Sequence, residues 1–317
     1  MNTINAKWLI SHEPVELFLR TAEAFSQEIK KLTDNRIQIE VITEEDYNKE
    51  NHNQRYTPVT LLQSGRIQMS QLYSGELGQR KATDFYALDL PFLFTDHDHA
   101  ARVFEGEVGK YLLEEHLVEK SQVRGLAFTY SGGFRVLASN KKIETAEDLK
   151  GTTMAFHRNP VFQALAESLG AKGKLKLGTW DKNENDHVED CDVVHTTLPR
   201  YSAEAVRGVH KYVTNANHSL FLTTIVIAEE FWNELTLEDQ AHMRSAALHA
   251  SRLERKWTVA DSDKITESTD EQAKLGIEEF RQMNYADTEK LKKSADSVYV
   301  KYEKFFTSGL IKKIKDA

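Results

Sequence analysis

The stretch from Tyr130 to Ala171 constrains the fold of this chain more than any other. It opens with Gly132-Gly133, and the residues from Phe134 to Ser139 then alternate with a period of two, which predicts a strand with two different faces. A second short strand is predicted at Met154–Phe156, and Pro160 stands where a new helix would begin. The stretch therefore predicts two strands followed by a helix.

A short helical turn is predicted between these two strands. Thr145 is followed three residues later by Asp148, which is a capping-box-like start, and Gly151 ends the turn. The loop between the strands is therefore compact.

The N-terminal part of the chain predicts a β-α-β unit. Lys7 to Ile10 is a predicted strand, and His12-Glu13-Pro14 opens a helix whose apolar residues continue at helical spacing from Phe18 to Leu32. Arg36 to Thr43 alternates as a second strand. This order implies a parallel pair of strands joined by a crossover helix.

The C-terminal third predicts one long helix. Thr236 begins a capping-box-like sequence, and neither Pro nor Gly occurs from there to Lys274. A helix from about Leu237 to Lys274 would be on the order of 60 Å long, which exceeds one small domain. We therefore expect it to bridge two lobes. Tyr212 to Val226 is predicted as strands that cross back into the first lobe.

Several motifs of the chain, in their order and spacing, resemble one transport family. It is the solute-binding proteins of tripartite ATP-independent periplasmic (TRAP) transporters, of the dicarboxylate-binding-protein type. The resemblance covers nearly the whole chain and rests on Leu88–Asp96, His99-Ala100, Ile143–Gly151, Asn217–Ser219 and Phe231-Trp232.

The resemblance implies an α/β, two-lobed periplasmic-binding-protein-like fold with a long helix spanning both lobes. Lobe I is predicted to comprise residues 1–127 plus 215–255, and lobe II residues 128–214 plus 256–317. The implied function is to capture a small polar solute by hinge closure and to deliver it to TRAP membrane permease subunits. It also implies a periplasmic monomer that is not an enzyme, with no catalytic residue, metal or cofactor.

Several positions depart from the family pattern. The carboxylate-binding arginine of the family falls on Ala155. Further on, Val193, His195, Thr196 and Thr197 stand where the family has glycine, glutamate, asparagine and proline. Alanine supplies no hydrogen-bond donor, so the sequence favours an atypical solute, either uncharged or cationic. The alternative is an acid held through Arg135, Arg158 and the region of Tyr73 and Trp180.

Arg135 is the first candidate for binding the solute. It lies on the strand face opposite the apolar one, and its planar guanidinium suits a carboxylate or phosphate. The alternative is a structural salt bridge. Arg158 could replace the missing arginine only if the chain turns at His157; otherwise it is a surface arginine.

Other candidate contacts follow from the resemblance. Each of these residues has the alternative of an ordinary core or loop position. They are Glu13, Tyr73, Phe156, Trp180, His195 and Thr196.

Composition excludes several other classes. The 317-residue chain has a formal net charge of −8, which argues against a nucleic-acid partner. No apolar run approaches the roughly 20 residues of a membrane span. Met1 to Lys7 is polar and carries no signal peptide. The chain is therefore either cytoplasmic or the mature form of an exported protein, and the resemblance favours the second.

Catalytic alternatives rest on two short clusters. Asp96-His97-Asp98-His99 offers metal-ligand types, but a polar helix start with Asp96 or Asp98 as N-cap explains it better. Cys191 with His195 could form a catalytic pair, although a lone Cys at a strand start is more often buried and inert. A small-molecule hydrolase and a ligand-sensing module remain the alternatives to a transport protein.

Overall fold

The computed structural model describes residues 3–51, 56–176 and 188–317. These residues form a mixed α/β structure that divides into two compact units. The first unit comprises Met1–Ala82, Ala101–Thr129 and Leu222–Trp257. The second unit comprises Thr83–Ala100, Tyr130–Phe221 and Thr258–Ala317.

The described residues form nine strands and fourteen α-helices. The strands are β1 Ile4–Ile10, β2 Ile37–Thr43, β3 Met69–Tyr73, β4 Val123–Ser139, β5 Thr153–His157, β6 Lys172–Lys176, β7 Val193–Thr196, β8 Tyr212–Ala228 and β9 Glu279–Gln282. The helices of the first half are α1 Val15–Leu32, α2 Glu44–Glu50, α3 Pro58–Gln63, α4 Ser74–Gln79, α5 His97–Glu105, α6 Glu107–Lys110 and α7 Leu117–Ser121. The later helices are α8 Pro160–Ser168, α9 Tyr201–Glu204, α10 Glu229–Glu234, α11 Leu237–Glu267, α12 Thr269–Leu275, α13 Tyr285–Tyr302 and α14 Leu310–Lys315.

The predicted β-α-β unit is present in the first unit. Strands β1 and β2 pair in parallel from Ile4 opposite Ile37 to Ile10 opposite Thr43, and α1 makes the crossover between them. The ring of Trp8 on β1 lies 5.2 Å from the ring of Phe25 on α1. Apolar residues at helical spacing therefore form this helix because one of its faces is buried against the strands.

The pairing of strands β4, β5 and β7 determines which residues of the second unit share a face of the sheet. Strand β7 runs antiparallel to β4 and parallel to β5, and β6 extends the sheet beyond β5. Ala138 on β4 and Ala155 on β5 both lie opposite Val194 on β7, so these three side chains share one face. Leu137 lies opposite His195 and shares the other face with Arg135.

The strand predicted from Phe134 to Ser139 is the second part of a strand of 17 residues, β4, which runs through Gly132 and Gly133. Gly132 and Gly133 have φ of 101° and 76°, which L side chains rarely adopt. A Cβ at Gly132 would lie 1.9 Å from the Oγ1 of Thr197. Glycine therefore lets the strand continue here and lets a loop approach its backbone closely.

The long C-terminal helix is shorter than predicted. Helix α11 ends at Glu267, and the backbone of Ser268 is extended. The Ser268 side chain accepts a hydrogen bond from the Glu271 backbone N–H at 3.2 Å and so caps α12. The prediction of one helix to Lys274 is therefore wrong, because a serine N-cap begins a new helix without any Gly or Pro. Residues on both sides of Trp257 belong to α11, and they contribute to different units.

Candidate functional site

Arg135 lies at the centre of the candidate site in the second unit. Its side chain is fully buried on β4. The guanidinium carbon lies 3.8 Å from the ring centroid of Phe221 on β8 and 4.7 Å from that of Phe162 on α8. Cation–π attraction to two rings holds a buried guanidinium in a fixed orientation. The site therefore contains a preorganised positive group on the face that the sequence predicted.

Two buried histidines lie on the same side as Arg135. The Nε2 atoms of His195 and His218 are 2.7 Å apart, and the His195 ring packs edge-on against Phe162 with centroids 4.7 Å apart. Burial lowers the pKa of His195 well below its usual value, with Arg135 adding to the effect. Burial, again with Arg135, lowers the pKa of His218 to about 3.

This histidine pair is therefore neutral at physiological pH. One Nε2 must donate and the other must accept, so the two rings are opposite tautomers. Among the residues that the structure describes, the Nδ1 of His218 has no hydrogen-bond partner. The pair can offer a solute hydrogen bonds but no positive charge.

Ala155 belongs to the apolar core on the face opposite Arg135. It packs in one cluster with Val194, Cys191 and Tyr201. The register places Thr196 on this same face, since it lies two residues beyond Val194. Ala155 and Thr196 therefore lie on one side of the sheet.

A buried ionic network lies on this second face. The Nε and one terminal nitrogen of Arg200 lie 2.9 and 2.8 Å from Oε1 of Glu204. Thr196 donates its hydroxyl proton to Oε2 of the same carboxylate, and the Nε2 of His157 lies 3.0 Å from Oε1. The other terminal nitrogen of Arg200 donates to the Oγ of Ser131 at 3.0 Å. Glu204 thus fixes one guanidinium and one hydroxyl together.

Arg200 and Glu204 were not among the residues predicted from the sequence. Their spacing of four residues is the signal that could have found them, because such pairs meet on one helix face. Arg200 is the N-cap residue of α9, and Glu204 is its last residue. The spacing alone predicts a surface ion pair, however, and the burial of both residues comes from tertiary packing.

The other predicted residues of the second unit have different environments. Phe156 is buried on the face of Arg135 and His195, since it follows Ala155 in the parallel register with Val194. Arg158 is exposed and interacts electrostatically with the phenol of Tyr86. Trp180 lies outside the described residues. Of the predicted set, the structure therefore brings Arg135, Phe156 and His195 together on one face and puts Thr196 on the other.

Two predicted residues lie in the first unit. Tyr73 is buried at the end of β3, and its backbone N–H donates to the Nε2 of His12 at 3.2 Å. Its ring covers Gly75, where a Cβ would lie 2.5 Å from the ring atoms. Glu13 is exposed just before α1.

A neutral polar cluster close to Tyr73 was not predicted. The Nε2 of buried Gln71 donates to the hydroxyls of Thr129 at 2.9 Å and Thr223 at 3.0 Å, and these hydroxyls are 2.6 Å apart. Ser74 and Thr224 exchange a hydrogen bond of 2.8 Å. The Oε1 of Gln71 has no hydrogen-bond partner within residues 3–51, 56–176 and 188–317.

Asp96 and Cys191, which belong to the two clusters considered for metal binding and catalysis, have structural roles. The carboxylate of Asp96 accepts from the backbone N–H of His99 at 2.7 Å, which confirms the helix-start interpretation. In the described part of the chain, no group of three His, Cys, Asp or Glu side chains could hold a metal ion. Cys191 is buried in the apolar cluster of Ala155.

Comparison with known proteins decides the family. The family described as "Bacterial extracellular solute-binding protein, family 7" matches residues 11–175 and 194–305. The chain belongs to this family. The TRAP-type resemblance and the predicted α/β fold are thereby confirmed, and the family binds solutes and works with membrane permease components.

Individual relatives agree with the family assignment. A solute-binding protein of Roseobacter denitrificans is 29% identical over 244 residues, covering 74% of this chain and 69% of the relative. A solved TRAP periplasmic solute-binding protein of the same organism, with bound L-galactonate, matches with TM-score 0.78, 22% identity and coverage of 100% and 99% of the two chains. A TRAP periplasmic solute-binding protein of Sulfurospirillum deleyianum, with bound succinate, matches with TM-score 0.80, 22% identity and 99% coverage of each chain.

No helix among the described residues is long and apolar enough to cross a membrane.

Proposed function

We propose that this protein is the extracytoplasmic solute-binding component of a TRAP-type secondary transporter. It captures a small polar solute in the periplasm as a monomer, without catalysis, and delivers it to membrane permease subunits. The observation that carries the proposal is Arg135, fully buried against Phe162 and Phe221 with the neutral His195–His218 pair on its side of the sheet. Such a set can bind a polar solute through a fixed positive charge and neutral hydrogen-bonding groups.

Closure is the step that links binding to delivery in this proposal. Lobes I and II, with the boundaries 1–127 plus 215–255 and 128–214 plus 256–317, would close about a hinge when both contact the solute. The solute then stabilises the closed state by its differential affinity for that state. The permease would recognise the closed form.

The solute itself is proposed to differ from a short dicarboxylate. The family's carboxylate-binding arginine is absent at Ala155, and Thr196 donates its only hydroxyl proton to Glu204. Thr196 can therefore only accept a hydrogen bond from a solute, whereas an asparagine could also donate one. A second carboxylate of a solute would find no donor at either position.

A thermal-shift screen tests the proposal. Succinate, pyruvate, L-galactonate, uncharged sugars, amines and vitamins are each added at millimolar concentration, since a solute that binds only the native state raises the melting temperature. We expect a clear rise with one class of solute and little change with succinate or pyruvate. Release of a chemically altered solute from the stabilised protein would contradict the proposal, and so would the absence of any shift across the panel.

A further inference from the structure

We infer that Arg200, held by Glu204, is the second guanidinium of the solute site and takes the role of the arginine that position 155 lacks. The solute is accordingly an organic acid with a single negative charge. This inference rests on the proposed function, and it adds a specificity-determining residue and a solute class to it.

The position of Arg200 is the first argument. Ala155, His157 and Thr196 lie on one face of the paired strands β5 and β7. Glu204 contacts two of these residues, His157 and Thr196, and Arg200 contacts Glu204. An arginine at position 155 would project from this same face. The chain therefore has a small residue at position 155 and a guanidinium, that of Arg200 at the start of α9, which reaches the same face.

The way Arg200 is held is the second argument. Its guanidinium is buried, and the Glu204 carboxylate and the Ser131 hydroxyl fix it from two sides. A buried ion pair of this kind often contributes little to stability compared with apolar residues of the same size. Its clearest benefit is orientation, which is what a site that recognises a planar carboxylate requires.

Phe221 links Arg200 to Arg135. The guanidinium carbons of Arg200 and Arg135 lie 4.9 and 3.8 Å from the centroid of this one ring. Both guanidinium groups therefore come together at Phe221, although they reach it from opposite faces of the sheet. A carboxylate beside this ring could pair with both, and guanidinium geometry suits that partner.

The buried carboxylate of Glu204 restricts the charge of the solute. Its oxygens contact Arg200, His157 and Thr196, so a negative charge is fixed beside the proposed second guanidinium. A second carboxylate on the solute would meet this charge in a region of low dielectric constant, where repulsion between like charges is strong. The hydroxyl of Thr196 can accept a hydrogen bond from a solute hydroxyl instead. A hydroxylated monocarboxylate therefore fits these groups better than a dicarboxylate.

Calorimetric titration of variants tests the inference. The probe is L-galactonate, or whichever monocarboxylate of the thermal panel stabilises the protein most. Arg200→Met should weaken its binding about 10- to 100-fold, the effect of losing a charge-assisted hydrogen bond. The matched control is Arg207→Met, which removes an exposed arginine of the same unit and should leave the affinity unchanged.

Two further variants separate solute binding from folding. Arg200→Lys keeps the charge and can still pair with Glu204, but it loses the planar fork, so we expect about tenfold weaker binding in a normally folded protein. Ala155→Arg, introduced into Arg200→Met, should restore part of the lost affinity because it returns a guanidinium to the same face.

Unchanged affinity in a folded Arg200→Met variant would overturn the inference. If that variant does not fold, unchanged affinity in Arg200→Lys would overturn it equally. A wild-type protein that is stabilised only by uncharged or cationic solutes would contradict the inference and leave the proposed binding function standing. A wild-type protein that binds nothing in the panel would contradict both.

Discussion

Two buried polar clusters, one in each unit, differ in character. In the first unit, Gln71, Thr129 and Thr223 form a neutral cluster joined by amide and hydroxyl hydrogen bonds. In the second unit, Arg135 and the Arg200–Glu204 pair form a charged, buried cluster. Buried charges that lose a partner cost far more than neutral groups do. Of these two clusters, the charged one is therefore the better candidate for recognising a charged solute.

The largest expected effect comes from removing Arg135. If its guanidinium contacts an anionic group of the solute, Arg135→Ala should weaken binding by roughly 2–4 kcal/mol, the cost of unpairing a desolvated charge. Calorimetry on the folded variant measures this, with Arg207→Met as the control. Unchanged affinity would show that Arg135 has a structural role. The charged cluster would then not differ from the neutral one in recognising a charged solute.

The next effect concerns stability. Glu204→Gln should lower the free energy of unfolding by about 3 kcal/mol, because Arg200 would keep a buried charge without its carboxylate. Urea denaturation gives this value. The control is Glu278→Gln, an exposed carboxylate that lies 2.7 Å from Lys211 and should matter little. An equal loss in both variants would show that the buried network has no special importance.

The histidine pair should make stability depend on pH. The pKa of His218 is about 3 in the folded protein and that of His195 is also lowered, so below pH 6.5 the unfolded chain binds more protons than the native one. The stabilising contribution of the pair is therefore fully present above about pH 7 and falls as the pH drops. The loss is about 2 kcal/mol at pH 5 for His218, and His195 adds to it in the same direction.

Urea denaturation at pH 7.5 and pH 5 measures this loss. His218→Gln should make the pH dependence weaker, since one of the two titrating groups is gone. A variant with the same pH dependence as the wild type would show that the pair is not responsible.

The smallest effect is expected in the first unit. Gln71→Leu removes hydrogen bonds to Thr129 and Thr223, but these hydroxyls still bond to each other at 2.6 Å. The free energy of unfolding should therefore fall by only about 1 kcal/mol, as for a neutral hydrogen bond. Thermal or urea denaturation checks this. A loss as large as that of Glu204→Gln would contradict the expected difference in stability contribution between the neutral and the charged cluster.

Local patterns in the sequence were sufficient for much of the fold. The apolar spacing of α1 and the alternation of β2 record which side of each element is buried, so the β-α-β unit could be predicted. The capping box of Thr145 and Asp148 is present as predicted, because it depends on residues three positions apart. Such features need no knowledge of distant parts of the chain.

The candidate site depended on tertiary structure and was predicted only in part. Alternation placed Arg135 on the face opposite the apolar one, where His195 joins it through strand pairing. Ala155 was identified from the family pattern. The face of the sheet on which it lies follows from its pairing with Val194, which no local pattern specifies. Arg200 was missed because its importance comes from burial beside Phe221.

The central claim is that the charged groups of the second unit form a solute site that differs from that of a dicarboxylate-binding protein. Calorimetric titration of the wild-type protein with succinate tests it most directly. We expect no measurable binding at millimolar succinate, because Ala155 offers no donor and Glu204 repels a second carboxylate. A micromolar dissociation constant for succinate would contradict the account, since it would show that the missing arginine has been replaced for dicarboxylates as well.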